Sequence, residues 1–351
     1  MTRPQPPSAA RRIGSRTISL GLLALALAVA SAVATAAASA DAVASADAMP
    51  ASSWPRFGLA WKVVDERYWD LSRSAIDWQE ARRTYGERLV ADDDELDALI
   101  EAMYAAIGDD HTRYVSAAQA VEERERFGDL PCIGFFGSAP TGGHGDITAN
   151  ARDDVTPADL RAIGPVELGS WSDGVGYVRV PDLVRAGTAE SVRQAVVELE
   201  RGGAIALVLD LRGNPGGRLV TMMQVAGVFT RGLLWRALTR WSLPLPYPAL
   251  GTPATDLPLA VLVDADVHSA AEGLAGALQM QGRAVIVGAT TAGNVEAVLP
   301  FCLRDGAQAW IATGVLAPLN GPTWEGRGVQ PDIAVDPAAA ARAARNALLG
   351  R

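Results

Sequence analysis

The segment Val267-His268-Ser269-Ala270-Ala271-Glu272 joins an apolar run to an alanine-rich stretch with helical spacing. A serine at such a junction stands where the first N–H groups of a helix point outward and the macrodipole favours negative charge. Those conditions stabilise an alkoxide and a tetrahedral oxyanion. Locally, the plainer reading of Ser269 is an N-cap, with Glu272 three residues on completing a capping box. The turn Arg212-Gly213-Asn214-Pro215-Gly216-Gly217 follows a second apolar run. Its paired glycines let backbone N–H groups face a carbonyl oxygen; read alone, they make a tight strand–helix connection. His111, in Asp109-Asp110-His111-Thr112, offers a neutral imidazole as general base to Ser269, although a loop histidine by itself reads as a surface residue. His144 lies in a glycine-rich loop without a signature. His268 adjoins Ser269 on one backbone, and adjacent side chains seldom face each other.

Other chemistries are excluded by count. One lysine, Lys62, occurs in 351 residues, so a lysine base has a single candidate. Two cysteines rule out a disulfide scaffold, a four-cysteine zinc site and an iron–sulfur site, and three histidines leave little room for a histidine-rich metal centre. No metal or organic cofactor is implied. A formal charge of −9 leaves no basic footprint for nucleic acid. With 49% apolar and 20% charged residues, the chain is neither a disordered tail nor a coiled coil.

The first forty residues read as an export signal. Arg3, Arg11, Arg12 and Arg16 precede an apolar run from Ile18 to about Val33, and Ala38-Ser39-Ala40 makes a cleavage site before Asp41. The rival reading is an uncleaved anchor; Ala, Ser and Thr dilute the second half of the run and favour cleavage. Removal of residues 1–40 leaves 27 basic against 40 acidic side chains, a charge of −13. An exported location, periplasmic or extracellular, would permit a Cys132–Cys302 disulfide; the sequence leaves open whether the two meet. No membrane contact is expected beyond the signal segment.

Elements must then bring these residues together. Trp54, Phe57, Trp61, Val64 and Tyr68 make a helical stripe, Asp77 caps a second helix through Leu89, and Leu96, Leu99, Ile100, Met103 and Ile107 face one side of a third. Residues 116–170 are mixed: a charged helix, a short strand around Ile133 and a glycine-rich loop. From Val175 the pattern alternates strand and helix. It predicts strands at 176–180, 204–211, 259–263 and 284–287, helices at 188–199 and 269–281, and a hairpin over 297–313 turning at Asp305-Gly306. The expected units are a signal peptide (1–40), a helical region (41–115), a linker or cap (116–170) and a catalytic core (171–351).

The blocks VLDLRGNPGG, LVDADVHSAAEGLAGALQ, GRAVIVGATTAGN and EGRGVQPDIAV, with WKVVDERYWD and IGDDHTRYV ahead of them, resemble the C-terminal-processing (tail-specific) serine peptidases. The resemblance covers most of residues 54–336. It implies an α/β fold with a crotonase-like layered core behind an N-terminal helical region. It places the nucleophile on Ser269 and the oxyanion hole on the N–H groups of Ala270 and of Gly216 or Gly217. Many members pair the serine with a lysine; the matching position here is Asn294, which has no basic nitrogen. The chain is more similar to the tricorn-type and nisin-resistance branch, whose histidine falls at His111 and whose orienting glutamate falls at Glu325. Too few residues lie between Tyr114 and Trp171 for the usual PDZ domain, so a reduced or absent PDZ is expected. The implied activity is that of an exported endopeptidase acting on a peptide or protein. The alternatives are a silent peptide-binding homologue and, behind it, a crotonase-type acyl-thioester enzyme.

Overall fold

Helical spacing of large apolar residues builds the front of the molecule. The computed structural model describes residues 48–109, 111–127, 156–185, 187–240 and 243–351. The expected signal segment, the strand around Ile133, the glycine-rich loop with His144, and Cys132, whose pairing with Cys302 the sequence left open, lie outside the described residues. Three helices open the described chain: α1 (Pro55–Arg67), α2 (Trp78–Gly86) and α3 (Asp93–Ala105). Each start has a physical cause. Pro55 takes the first position of α1, where no N–H is needed. The carboxylates of Asp77 and Asp92 accept the first free N–H groups of α2 and α3. Phe57, Trp61 and Val64 of α1 bury against Trp78 of α2 and Leu96, Ile100 and Met103 of α3. A two-stranded ribbon, β1 (Met49–Pro50) with β2 (Leu89–Val90), ties the ends of this cluster, and the second helix ends at Gly86 rather than Leu89. Strand β3 (Arg113–Val115) and helix α4 (Ala117–Phe127) follow.

The rear half contains the main sheet. Its strands are β4 (Arg161–Ile163), β5 (Val166–Ser170), β6 (Val175–Arg179), β7 (Ala206–Asp210), β10 (Leu259–Val263), β11 (Val285–Gly288) and β14 (Ile333–Ala334). They lie in the order β14-β11-β10-β7-β6-β5-β4, parallel from β14 to β6 and antiparallel beyond. Helices α5 (Thr188–Arg201), α6 (Leu219–Phe229) and α7 (Ala270–Met280) cover one face, and α8 (Pro337–Leu348) the other. Burial on both faces explains why β7 and β10 are almost wholly apolar. The segment expected as linker or cap, 116–170, thus supplies two strands to this sheet.

A second sheet positions the chemistry. It consists of β8 (Leu233–Thr239), β9 (Leu245–Pro248), β12 (Glu296–Cys302) and β13 (Gln308–Ala317), in the order β12-β13-β8-β9. The expected hairpin is β12–β13, with Asp305 at a φ of 62° in its turn. Strand β3 joins the other edge of β13, pairing Arg113 with Trp310 and Val115 with Gln308. Phe301, Leu303, Ala309, Ile311 and Ala312 of the hairpin pack into the helical cluster at the front. The hairpin therefore belongs to the core of the front half as much as to the rear.

Candidate active site

Ser269 follows buried Val267 and immediately precedes α7. Its backbone has φ 53° and ψ −122°, a conformation that favours glycine. Holding serine there costs on the order of 1–3 kcal/mol, and such strain collects where a side chain must be aimed. Glu272, fully buried, reaches back to the Ser269 N–H at 3.2 Å, as the capping-box reading expected. The same carboxylate does more. It accepts from Thr291 Oγ1 at 2.5 Å, from the Gly293 N–H at 2.7 Å and from the Asn294 N–H at 2.8 Å. The loop 291–294 is thereby fastened to the serine, and the Asn294 carbonyl accepts the Ser269 N–H at 2.8 Å.

The turn 212–217 stands against the same spot. A Cβ built on Gly216, whose φ is 93°, would lie 2.8 Å from Ser269 Cβ and 3.1 Å from the Ala270 nitrogen. Only glycine fits this approach. A Cβ on Gly217 would lie 2.3 Å from the Leu183 carbonyl carbon. Buried Asn214 organises the turn. Its Nδ2 donates to the Val180 carbonyl, its Oδ1 accepts the Gly216 N–H, each at 2.8 Å, and its carbonyl accepts the His268 N–H at 3.0 Å. The Gly216 N–H thus has a partner inside the turn.

His111 arrives from the other half of the chain. Strand β3, two residues on, fixes its height along β13, and Thr112 Oγ1 accepts the Ala312 N–H at 3.1 Å. Asp109 turns the loop by accepting the N–H groups of His111 at 2.9 Å and Thr112 at 2.5 Å. His111 Nδ1 lies 3.0 Å from Glu296 Oε2, in a pair whose side chains are 22% and 6% exposed. Glu296 opens β12, two residues after Asn294. Glu325 also reaches this segment: its Oε2 accepts the Val295 N–H at 2.9 Å. The carboxylate on the Nδ1 of His111 is therefore that of Glu296, whereas Glu325, expected in that role, binds the backbone one residue earlier.

Electrostatics follow from this crowding. Burial draws the imidazole toward its neutral form, but the hydrogen bond and charge of Glu296, with Asp109 and Glu325 behind, raise its pKa above the ordinary histidine value. Burial raises the Glu325 carboxyl, and the Glu296 charge adds to this; the Val295 N–H and His111 pull the other way. Among the described residues no group of His, Cys, Asp and Glu could hold a metal ion. No described helix is long and apolar enough to cross a membrane.

Two of the sequence-derived residues, Ser269 and Ala270, stand side by side with Gly216. Gly217 and Glu325 lie in the loops around them, and His111 is joined to the segment that touches Ser269. Sequence reasoning missed Glu296 and the wider role of Glu272. The signal for Glu272 was its buried position in an otherwise apolar helix; a lone acid opening a strand gave none for Glu296.

Residues 174–335 match the profile of Peptidase family S41. The chain carries a peptidase family S41 domain. It is similar to the carboxyl-terminal-processing proteases of Picosynechococcus sp. and Synechocystis sp., each 39% identical over 134 residues, 38% of this chain and 32% and 31% of those proteins. The chloroplastic C-terminal processing peptidase of Tetradesmus obliquus is 31% identical over 193 residues, 54% of this chain and 41% of that one. The matched part of the chain thus spans about a third of the length of the cyanobacterial relatives. In fold it is similar to a photosystem II D1 C-terminal processing protease, with a TM-score of 0.63 at 22% identity, covering 86% of this chain and 98% of that one. A lipoprotein from Streptococcus agalactiae gives 0.62 at 16% identity, covering 86% and 97%.

Proposed function

We propose that the protein is an exported serine endopeptidase that cleaves peptide bonds through an acyl-enzyme on Ser269, with His111 as general base. The observation that carries this reading is the His111–Glu296 bond of 3.0 Å, two residues along the chain from the Asn294 carbonyl that holds the Ser269 backbone. Glu296 fixes the Nδ1–H tautomer and leaves Nε2 as the base. Nε2 takes the proton from the Ser269 hydroxyl as Oγ attacks the peptide carbonyl. The N–H groups of Ala270 and Gly217 hold the oxyanion, since the Gly216 N–H donates to Asn214. The imidazolium then gives its proton to the leaving amine, and water, deprotonated by the same nitrogen, releases the acid product. A lysine base has no place in this scheme, because Asn294 stands at the lysine position and the sole lysine, Lys62, pairs with Glu66 on α1.

Export rests on the basic head, apolar run and Ala38-Ser39-Ala40 site, with cleavage near Ala40. We read the cap between the helical region and the core as a reduced or absent PDZ domain and propose no selection of substrates by their C-terminal tails. The strained backbone of Ser269 favours an active enzyme over a silent homologue, which has no use for the strain. The test is fluorophosphonate labelling with hydrolysis of a denatured protein substrate. Labelling at Ser269, and loss of turnover in both Ser269→Ala and His111→Ala, is the expected result. Absence of label on folded protein would make it a peptide-binding homologue, and wild-type turnover by His111→Ala would remove the base.

A further inference from the structure

The carboxylate that holds His111 is itself held by a group outside the catalytic set. Trp69 lies just beyond α1, and its indole Nε1–H donates to Glu296 Oε1 at 2.8 Å. One carboxylate therefore bridges two rings: Oε1 faces the indole and Oε2 the imidazole. Trp69 is fixed on both of its other sides. Its backbone N–H donates to the Ala312 carbonyl at 2.9 Å, and the Arg73 guanidinium stacks 5.2 Å from its ring centroid. Ala312 also donates its N–H to Thr112 Oγ1, beside His111. One residue of β13 thus sets the position of both the indole and the imidazole.

We infer that Trp69 is a positioning residue for the proposed reaction: its indole N–H orients Glu296 and tempers its charge, and so sets both the aim and the basicity of His111. This inference rests on His111 being the general base. A carboxylate with one oxygen bound to imidazole and the other free would rotate and would concentrate its charge on the imidazole side. The indole donor stops the rotation and draws charge toward Oε1. The charged and titratable groups facing the pair are Asp109 from the loop before β3, Glu325 from the loop before β14, Tyr68 from the end of α1, and Arg73 above the indole. Burial holds the Tyr68 phenol well above its usual pKa, so it stays neutral through the working range.

The experiment compares wild type, Trp69→Phe and His111→Ala. Phenylalanine keeps the ring and removes the donor. For Trp69→Phe, kcat should fall about tenfold with KM within about twofold. The acid limb of kcat/KM should move to higher pH, because an undivided carboxylate charge holds the imidazolium more tightly. In wild type, one indole N–H resonance should shift with pH at the midpoint of the His111 ring, a measurement that does not depend on the variant folding. Wild-type kcat and acid limb in Trp69→Phe, with His111→Ala inactive, would overturn the inference alone. So would a wild-type spectrum in which no indole N–H follows the imidazole. Full turnover by His111→Ala would remove the base and the inference together.

Discussion

The carbonyl oxygen of Asn294 accepts the backbone N–H of Ser269 at 2.8 Å. The side chain at position 294 has no part in that bond. The position at which the resemblance implies a lysine thus meets the proposed nucleophile through its main chain and carries an asparagine side chain. Asn294→Ala should therefore lose about tenfold or less in activity, against a loss of about a thousandfold or more for Ser269→Ala or His111→Ala. Parallel kcat measurements check this; equal loss in all three would reopen the assignment of the base.

Ser269 holds a backbone conformation suited to glycine. Ser269→Gly relieves that strain and gives up little as a cap. It should raise the free energy of unfolding by about 1 kcal/mol while abolishing hydrolysis. Urea unfolding of the two proteins decides it. A less stable variant would mean that the side chain contributes more to the fold than the strain removes.

Glu296 raises the pKa of His111, so the sign of its pH effect is fixed. The imidazolium–carboxylate contact contributes stability that is fully present below about pH 6.5, the ordinary histidine value, and is lost as pH rises through the higher folded value. With His111 as the proposed base, activity needs the neutral ring, so kcat/KM should climb with pH through a midpoint above about 6.5. Glu296→Gln should lower that midpoint and also lower the plateau, since the amide holds the wrong tautomer as readily as the right one. A pH–rate profile of both enzymes tests this, and coincident midpoints would contradict it.

Gly216 leaves no room for a methyl group. In Gly216→Ala the new carbon would fall 2.8 Å from Ser269 Cβ and 2.8 Å from the His268 carbonyl oxygen. Turnover should drop by about a hundredfold or more, with destabilisation of roughly 1–3 kcal/mol from overpacking and the positive φ. Thermal unfolding alongside kinetics measures both, and near wild-type turnover would mean that the oxyanion site lies elsewhere.

Legibility in the sequence followed the range of the interactions. Leu259–Val263 and the helix after Ser269 were readable because their patterns are local: an apolar run, then a cap with small residues at helical spacing. The hairpin turn at Asp305-Gly306 carried its own signal. Strands β8 and β9 were missed. Three prolines, at 244, 246 and 248, argue against a strand, yet β9 lies at a sheet edge, where a missing N–H is tolerated. Strands β4 and β5 are only three and five residues long, too short to alternate convincingly. Glu296 was invisible for a different reason. It sits 185 residues from His111, and nothing in either segment foretells the other. The resemblance gave Ser269 and His111, but the acid beside the imidazole is settled by which strand reaches it.

The β12–β13 hairpin packs into the front helices and also opens with Glu296. During synthesis, the loop carrying His111 emerges long before the strand that must receive it. A growing chain that ends short of residue 269 therefore holds the imidazole with neither its carboxylate nor the proposed nucleophile. On the proposed reading, the set of serine, imidazole and carboxylate is complete only once synthesis has passed residue 296.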